Sequence, residues 1–171
     1  MQDPFPMKVL IASQQVETRV KLESAVSSWG YGVVSAQDGA QACAILDAPN
    51  PPRIAILEVF LPKVTGIEVC RRVRIQRRDA PYIYLLLLIS KDTNLELTVE
   101  AGVNDCILTP FDEHELRVRL RAGQRIVALL TGLTHAKAGY RHGSNLGPRM
   151  TPPSLVSRWT VIQKPSHEID R

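Results

Sequence analysis

The sequence predicts a doubly wound α/β domain on a five-stranded parallel sheet, and three observations predict it. Short β-branched runs alternate five times with longer stretches of helical period, the pattern of repeated βα units. The strand candidates lack polar alternation, as strands buried on both faces do. The chain of 171 residues, 44% hydrophobic and 22% charged, has the apolar content for one sizeable core.

The elements follow in order. The first strand is 8–12 (KVLIA), and the helix over 16–29 carries Val20, Ala25, Val26 and Trp29 at helical spacing before Gly30 ends it. A second strand covers 31–35; the next helix, 40–47, is opened by Asp38 as N-cap and closed by the Pro49-Asn50-Pro51-Pro52 turn. The third strand, 53–58, leads through the loop 59–65 into a helix over 66–76. Strand four is 82–89 with a short helix over 94–101. Strand five is 105–108, followed by a long helix over 112–130. Residues 1–6 are expected as an unstructured lead, 7–131 as the folded domain, and 132–171, with 4 Gly and 4 Pro, as a mostly flexible tail.

Composition excludes several classes. The longest apolar run, near Ile83 to Ile89, is well short of the roughly 18 residues that span a bilayer, and no basic-then-apolar leader opens the chain, so a cytoplasmic protein without a membrane segment is expected. Cys43, Cys70 and Cys106 stand far apart without a CxxC or Cys/His pattern, which reads as small buried apolar residues rather than a disulfide or zinc framework. The formal charge of +4 is unevenly placed: residues 1–131 hold 15 cations and 15 acids, whereas 132–171 hold 6 cations and 2 acids.

In a doubly wound sheet, ligands sit at the carboxyl ends of the strands. Those ends are Ser13-Gln14-Gln15, Glu58, Ile89-Ser90-Lys91 and Thr109-Pro110-Phe111. With these residues in view, residues 7–127 resemble a response-regulator receiver domain, the phosphoacceptor module of bacterial two-component signalling. The motifs are KVLIA, SWGYGVVSAQDGAQA, IAILEVFLPKVTGIEVCRRVR and EAGVNDCILTPFDEHELRVRLR, in family order. The resemblance implies a flavodoxin-like fold with strand order 2-1-3-4-5 and a cis peptide at Thr109-Pro110.

The resemblance also implies a chemistry that these residues do not supply. Family members hold Mg2+ with two acids after strand one and an aspartate ending strand three. Here Ser13 and Gln14 stand at the acidic pair and Glu58 at the phosphoacceptor. The family's Thr/Ser falls on Ile89, or on Ser90 one register along; its switch aromatic falls on Cys106 and its lysine on Thr109, before Pro110. Neutral side chains are poor ligands for a hard cation, so Mg2+ binding is expected to be lost and no cofactor is expected. Framework residues Pro62, Gly66 and Gly102 persist. The expectation is a pseudo-receiver, a non-enzymatic phosphorelay-type module acting by protein–protein contact. The alternative is a working phosphoacceptor that uses Glu58 or another acid. Glu58, one methylene longer than Asp, also admits a role as a fixed mimic of the phosphorylated state, with Ser13, Ser90, Lys91 or Thr109 as its available partners.

Arg71, Arg72, Arg74, Arg77 and Arg78 crowd the end of the third helix, where cations complement the dipole. The last helix carries more apolar positions than one buried stripe needs. Leu116, Leu120, Val127 and Leu130 are therefore candidates for a partner or homodimer contact on the face of helix four, strand five and helix five, the usual output surface of the family. His114 is expected to face solvent, and His135, His142 and His167 have no ligand spacing. A flavin or nucleotide site would want a glycine in the loop after strand one, and none is present; nucleic-acid binding is not expected, because the tail has charge but no reading element.

Overall fold

In the computed structural model, which describes residues 6–77 and 80–140, strands and helices alternate: β1 (Lys8–Ala12), α1 (Val16–Ser28), β2 (Gly32–Ala36), α2 (Gly39–Asp47), β3 (Ile54–Glu58), α3 (Gly66–Gln76), β4 (Tyr84–Ile89), α4 (Leu95–Glu100), β5 (Asp105–Leu108) and α5 (Glu113–Tyr140). The five strands are parallel in the order β2-β1-β3-β4-β5, as expected. The register aligns Ala12 with Leu57 and Glu58 with Leu88, which brings the carboxyl ends of β1, β3 and β4 to one edge.

Successive residues of each strand point to opposite faces, and this period divides the core in two. Leu10, Ala55, Leu57, Leu85 and Leu87 pack with Ala42 and Leu46 of α2 and Val69, Cys70 and Val73 of α3. Val9, Ile11, Ile54, Ile56, Leu86 and Leu88 pack with Leu22 and Val26 of α1 and Leu116, Leu120 and Val127 of α5. Complete burial of such a side chain contributes about 1.5–3 kcal/mol, so these two layers supply the main drive for folding.

Local chemistry sets the element ends. Asp38 caps α2 by accepting the Gln41 N–H at 2.8 Å, Thr65 caps α3 through the Glu68 N–H at 3.3 Å, and Asn94 caps α4 through the Glu96 N–H at 2.9 Å. Gly30, with φ +88°, ends α1. Gly66 is required for a different reason: a Cβ there would lie 2.1 Å from the Glu58 carbonyl oxygen.

Several expectations need correction. Leu116, Leu120 and Val127 are no docking surface, because they form the stripe by which α5 packs on β3 and β4; each is no more than 2% exposed. Leu130 is half-buried, and among the described residues the large apolar side chains exposed on α5 are Val118, Leu129 and Leu133. On α1 the buried positions are Leu22, Ala25 and Val26, whereas Val20 faces outward. Cys70 is buried, but Cys43 and Cys106 are only half-buried. Helix α5 does not stop near Leu130 but continues to Tyr140, past the expected boundary at 131; Gly132 is tolerated because helix backbone needs no side chain there and none of its surroundings crowd it. The remaining tail residues, 141–171, with His142 and His167, lie outside the described residues, as do 1–5 and Arg78. His114 is exposed, as expected.

The arginines of α3 also divide. Arg71 and Arg72 are exposed, and Arg72 pairs with Glu68 one turn back at 3.0 Å. Arg74 instead enters the structure: it donates to the Gly102 carbonyl at 2.8 Å, the Ile83 carbonyl at 2.9 Å and Asn104 Oδ1 at 2.7 Å, and its guanidinium lies 4.8 Å from the Tyr82 ring centre. Gly102, at φ +76°, leaves room for the Arg74 side chain, which a Cβ would meet at 2.7 Å.

Candidate functional site

The carboxyl ends of β1, β3, β4 and β5 enclose a cleft of about 250 Å³ lined by Gln14, Gln15, Glu58, Val59, Phe60, Leu88, Ile89, Ser90 and Thr109. The topology thus gathers Gln14, Glu58, Ile89, Ser90 and Thr109, residues dispersed over nearly a hundred sequence positions. Ser13 is buried at the end of β1. Cys106 and Pro110 are not among the lining residues. Cys106 instead places its Sγ 3.9 Å from Thr98 Oγ1, linking β5 to α4, and burial raises its thiol pKa. Pro110 follows a cis peptide bond, as the resemblance implies.

Glu58 ends β3 half-buried, with Oε2 accepting the Gln14 N–H at 3.2 Å. Burial raises its carboxyl above the ordinary value; the Ser13 hydroxyl, the Gln14 N–H and the Arg19 guanidinium pull in the opposite direction. Desolvation therefore outweighs the partners that favour the charged form. Among the residues lining the cleft, Glu58 is the single carboxylate.

The neutral residues around it are engaged with their own surroundings. The Ser13 hydroxyl accepts the Gln15 N–H at 3.1 Å, and its one proton is divided between the Gln15 carbonyl, also at 3.1 Å, and Glu58. The Gln14 side-chain amide donates to the Phe60 carbonyl at 3.1 Å. Ser90 turns toward Thr93, whose hydroxyl accepts the Ser90 N–H at 3.0 Å and lies 3.2 Å from Ser90 Oγ. Thr109 directs both its N–H, at 2.7 Å, and its hydroxyl, at 3.0 Å, to the Ile89 carbonyl. Two of the residues in view of Glu58 thus bind the ends of β4 and β5 to each other or to the following turn. Lys91 is exposed and is not among the lining residues.

Sequence reasoning overlooked three participants. Phe60 is 65% exposed beside the cleft. Nothing in the sequence singled it out, because a lone apolar side chain on a surface is ordinary. Arg19 donates to the Ser13 carbonyl at 2.8 Å, fixing the β1–α1 turn. The Lys63–Asp38 ion pair, at 2.7 Å, ties the β3–α3 loop to the α2 cap, and Lys63 takes a positive φ of 66° there. That pair and the Gln41 N–H hold the Asp38 carboxyl below the usual range.

The comparisons with known proteins agree with this geometry. The family profile described as the response regulator receiver domain matches residues 9–121. The chain is 34% identical over 120 residues to the response regulator MprA of Mycobacterium sp. (strain KMS), covering 69% of this chain and 50% of that protein. It is 32% identical over 117 residues to the alkaline phosphatase synthesis transcriptional regulatory protein PhoP of Bacillus subtilis, covering 67% and 47%. The chain therefore spans about half the length of the curated relatives it matches. Among solved structures, a response regulator from Chloroflexus aurantiacus superposes with a TM-score of 0.63 at 29% identity, over 69% of this chain and 97% of that one. The receiver domain of Saccharomyces cerevisiae Ssk1, solved with the phosphotransfer protein Ypd1, shares the fold at a TM-score of 0.60 and 21% identity, over 67% and 87%. With its strand order, its cleft at the strand ends and this profile match, the chain belongs to the response regulator receiver domain family.

Proposed function

We propose that this receiver is a pseudo-receiver: it takes up no phosphoryl group on Glu58, holds no Mg2+ in the cleft, and signals as a non-enzymatic cytoplasmic module by contact with a protein partner or a second copy. The observation that carries this reading is the isolation of Glu58, a lone carboxylate among the neutral side chains that line its cleft. Mg2+ asks for octahedral oxygen ligation, commonly through one or two carboxylates and several waters, and it dehydrates reluctantly. The cleft offers a single carboxylate, half-buried, already accepting the Gln14 N–H and held toward its neutral form by burial, with no second acid beside it, which is a poor donor set for this ion. Gln14 presents amide N–H groups to the Glu58 and Phe60 oxygens, and no cluster of three or more His, Cys, Asp or Glu side chains occurs among the described residues.

The contact surface we propose is the face of α4, β5 and α5. Support comes from exposed apolar side chains on each of the three elements: Leu95, Leu97 and Val99 on α4, Leu108 on β5 and Val118 on α5. Among the described residues no helix is long and apolar enough to cross a membrane.

The deciding experiment treats the purified chain with acetyl phosphate, with and without Mg2+, and reads the intact mass. The expected result is the unmodified protein in both. A Mg2+-dependent phosphorylated form that disappears in Glu58→Ala would overturn the proposal in favour of a phosphoacceptor that uses Glu58; one that survives Glu58→Ala would assign the role to another acid.

A further inference from the structure

A second concavity, larger than the cleft, lies at the opposite end of the sheet from Glu58. It is an open groove of about 1000 Å³ at the amino ends of the strands, between the α1–β2 turn and α5. Four cations converge on it: Lys8 at the start of β1, Arg53 just before β3, and Arg117 and Arg121 one turn apart on α5. Among the described residues no Asp or Glu lines the groove and none of the four makes an ion pair. Lys8, Arg117 and Arg121 are exposed. The domain body as a whole is charge-balanced, with 15 cations and 15 acids over residues 1–131 and these four among the cations, so this is a local excess of positive charge.

The groove is not uniformly polar. Met7, Trp29 and Pro51 contribute apolar surface between the cations, and Arg117 stacks over the Trp29 ring at 5.9 Å from its centre. Tyr31 donates its hydroxyl to Gln124 at 2.9 Å, which holds the α1–β2 turn against α5 and fixes the groove wall. Arg53 is half-buried, donating to the Tyr82 carbonyl at 2.8 Å and Thr131 Oγ1 at 3.3 Å; desolvation and the nearby Arg77 charge both lower its pKa. An unpaired cation in such a setting is stabilised by an incoming anion.

We infer that this groove docks a segment of a protein partner in which carboxylates alternate with apolar side chains. Carboxylates of the segment meet Lys8, Arg53, Arg117 and Arg121, and its apolar residues lie on Met7 and Trp29. Charge complementarity selects this occupant. The chain's own tail is disfavoured by sign, because residues 132–171 hold 6 cations against 2 acids. The backbone of a nucleic-acid duplex would satisfy the cations but bring nothing apolar to Met7, and the single-strand alternative, whose bases stack on aromatic rings, is the oligo-dT arm of the test. The surface is remote from Glu58, so it serves whether or not the cleft accepts a phosphoryl group.

The test is fluorescence anisotropy of the full chain with a fluorescein-labelled peptide alternating Glu with Leu. A matched peptide with Gln for Glu and an oligo-dT strand serve as comparisons. The inference expects the acidic peptide to bind most tightly, with affinity falling as salt rises and falling at least about tenfold in the double variant Arg117→Glu/Arg121→Glu. Arg71→Glu, on the exposed side of α3, should leave binding unchanged. Circular dichroism confirms that the variants are folded, and Lys8→Glu provides an independent reversal from another element. Equal binding of the Gln peptide, tighter binding of oligo-dT, indifference to both charge reversals, or self-association of the chain that the reversals abolish would each overturn the inference.

Discussion

The main-chain N–H of Gln14 and the carboxylate of Glu58 meet at 3.2 Å across the ends of β1 and β3. The contact satisfies one oxygen of a carboxylate whose pKa burial has raised. A carboxyl that holds its proton more tightly when folded than when unfolded opposes folding once it is ionised. Its penalty is absent below the ordinary carboxylate range, develops as pH rises from there through the folded value, and is fully present above it. Glu58→Gln retains an acceptor oxygen for the Gln14 N–H and removes the titration. The variant should therefore be more stable than the parent at pH 7, with a smaller advantage at pH 4. Urea unfolding of both proteins at the two pH values measures this, and an advantage that grows toward acid would contradict it.

Two glycines make opposite predictions. At Gly66 a Cβ would sit 2.1 Å from the Glu58 carbonyl oxygen and 3.3 Å from Leu87 Cδ2, so the backbone of the cleft itself must move. Gly66→Ala should cost about 2–4 kcal/mol, in the range of severe steric changes. Gly132 lies within α5 with nothing inside 4 Å of its position. Gly132→Ala should stabilise the helix by up to about 1 kcal/mol. Denaturant midpoints of the two variants should move in opposite directions, and a common direction would show that one of these environments has been misassigned.

Arg74 ties α3 to the segment before β4 and to the turn before β5. Its guanidinium reaches the Ile83 and Gly102 carbonyls and Asn104 Oδ1, while Asn104 Oδ1 also accepts the Leu85 N–H at 2.8 Å. Truncation leaves two carbonyls without that donor and removes the stacking on Tyr82, so Arg74→Ala should cost about 3–5 kcal/mol. Arg74→Lys retains the charge but not the planar fork, and should recover less than half of the loss. Equilibrium unfolding checks both; a loss under about 1 kcal/mol for Ala would refute the assigned role.

The fold and the cleft differ in how far the sequence disclosed them. Strand order and the convergence of Ser13, Glu58, Ile89 and Thr109 follow from β-branched runs alternating with helical periods, because parallel βα units leave few topologies and place all strand ends on one side. The partnerships inside the cleft were not legible. Gln14 could turn toward Glu58, Phe60 or solvent with the same spacing, and only the fixed loop shows that its main chain serves Glu58 and its side chain Phe60. Arg74 and Arg72 look alike in a basic run, yet two residues along a helix is more than half a turn, so Arg74 points toward Gly102 and Asn104 while Arg72 pairs with Glu68 at the surface. The last helix misled for a related reason: it has apolar residues on two stripes, and periodicity alone does not tell which stripe meets the sheet.

The two stripes of α5 run side by side along the helix. Leu120 is fully buried against the sheet, while Val118, two residues before it, is 54% exposed. A charge at position 120 would enter an apolar layer formed with Ile56 and Leu86, so Leu120→Glu should cost several kcal/mol and abolish cooperative unfolding. Val118→Glu, by contrast, should change stability by no more than about 0.5 kcal/mol. If the face of α4, β5 and α5 joins two copies or a partner, Val118→Glu combined with Val99→Glu should weaken that association at least about tenfold while the domain stays folded. Sedimentation velocity of the full chain across a concentration series reads self-association, and a pull-down with the tagged full chain as bait reads the heterologous case. Association unchanged in the folded double variant would move the contact to another surface.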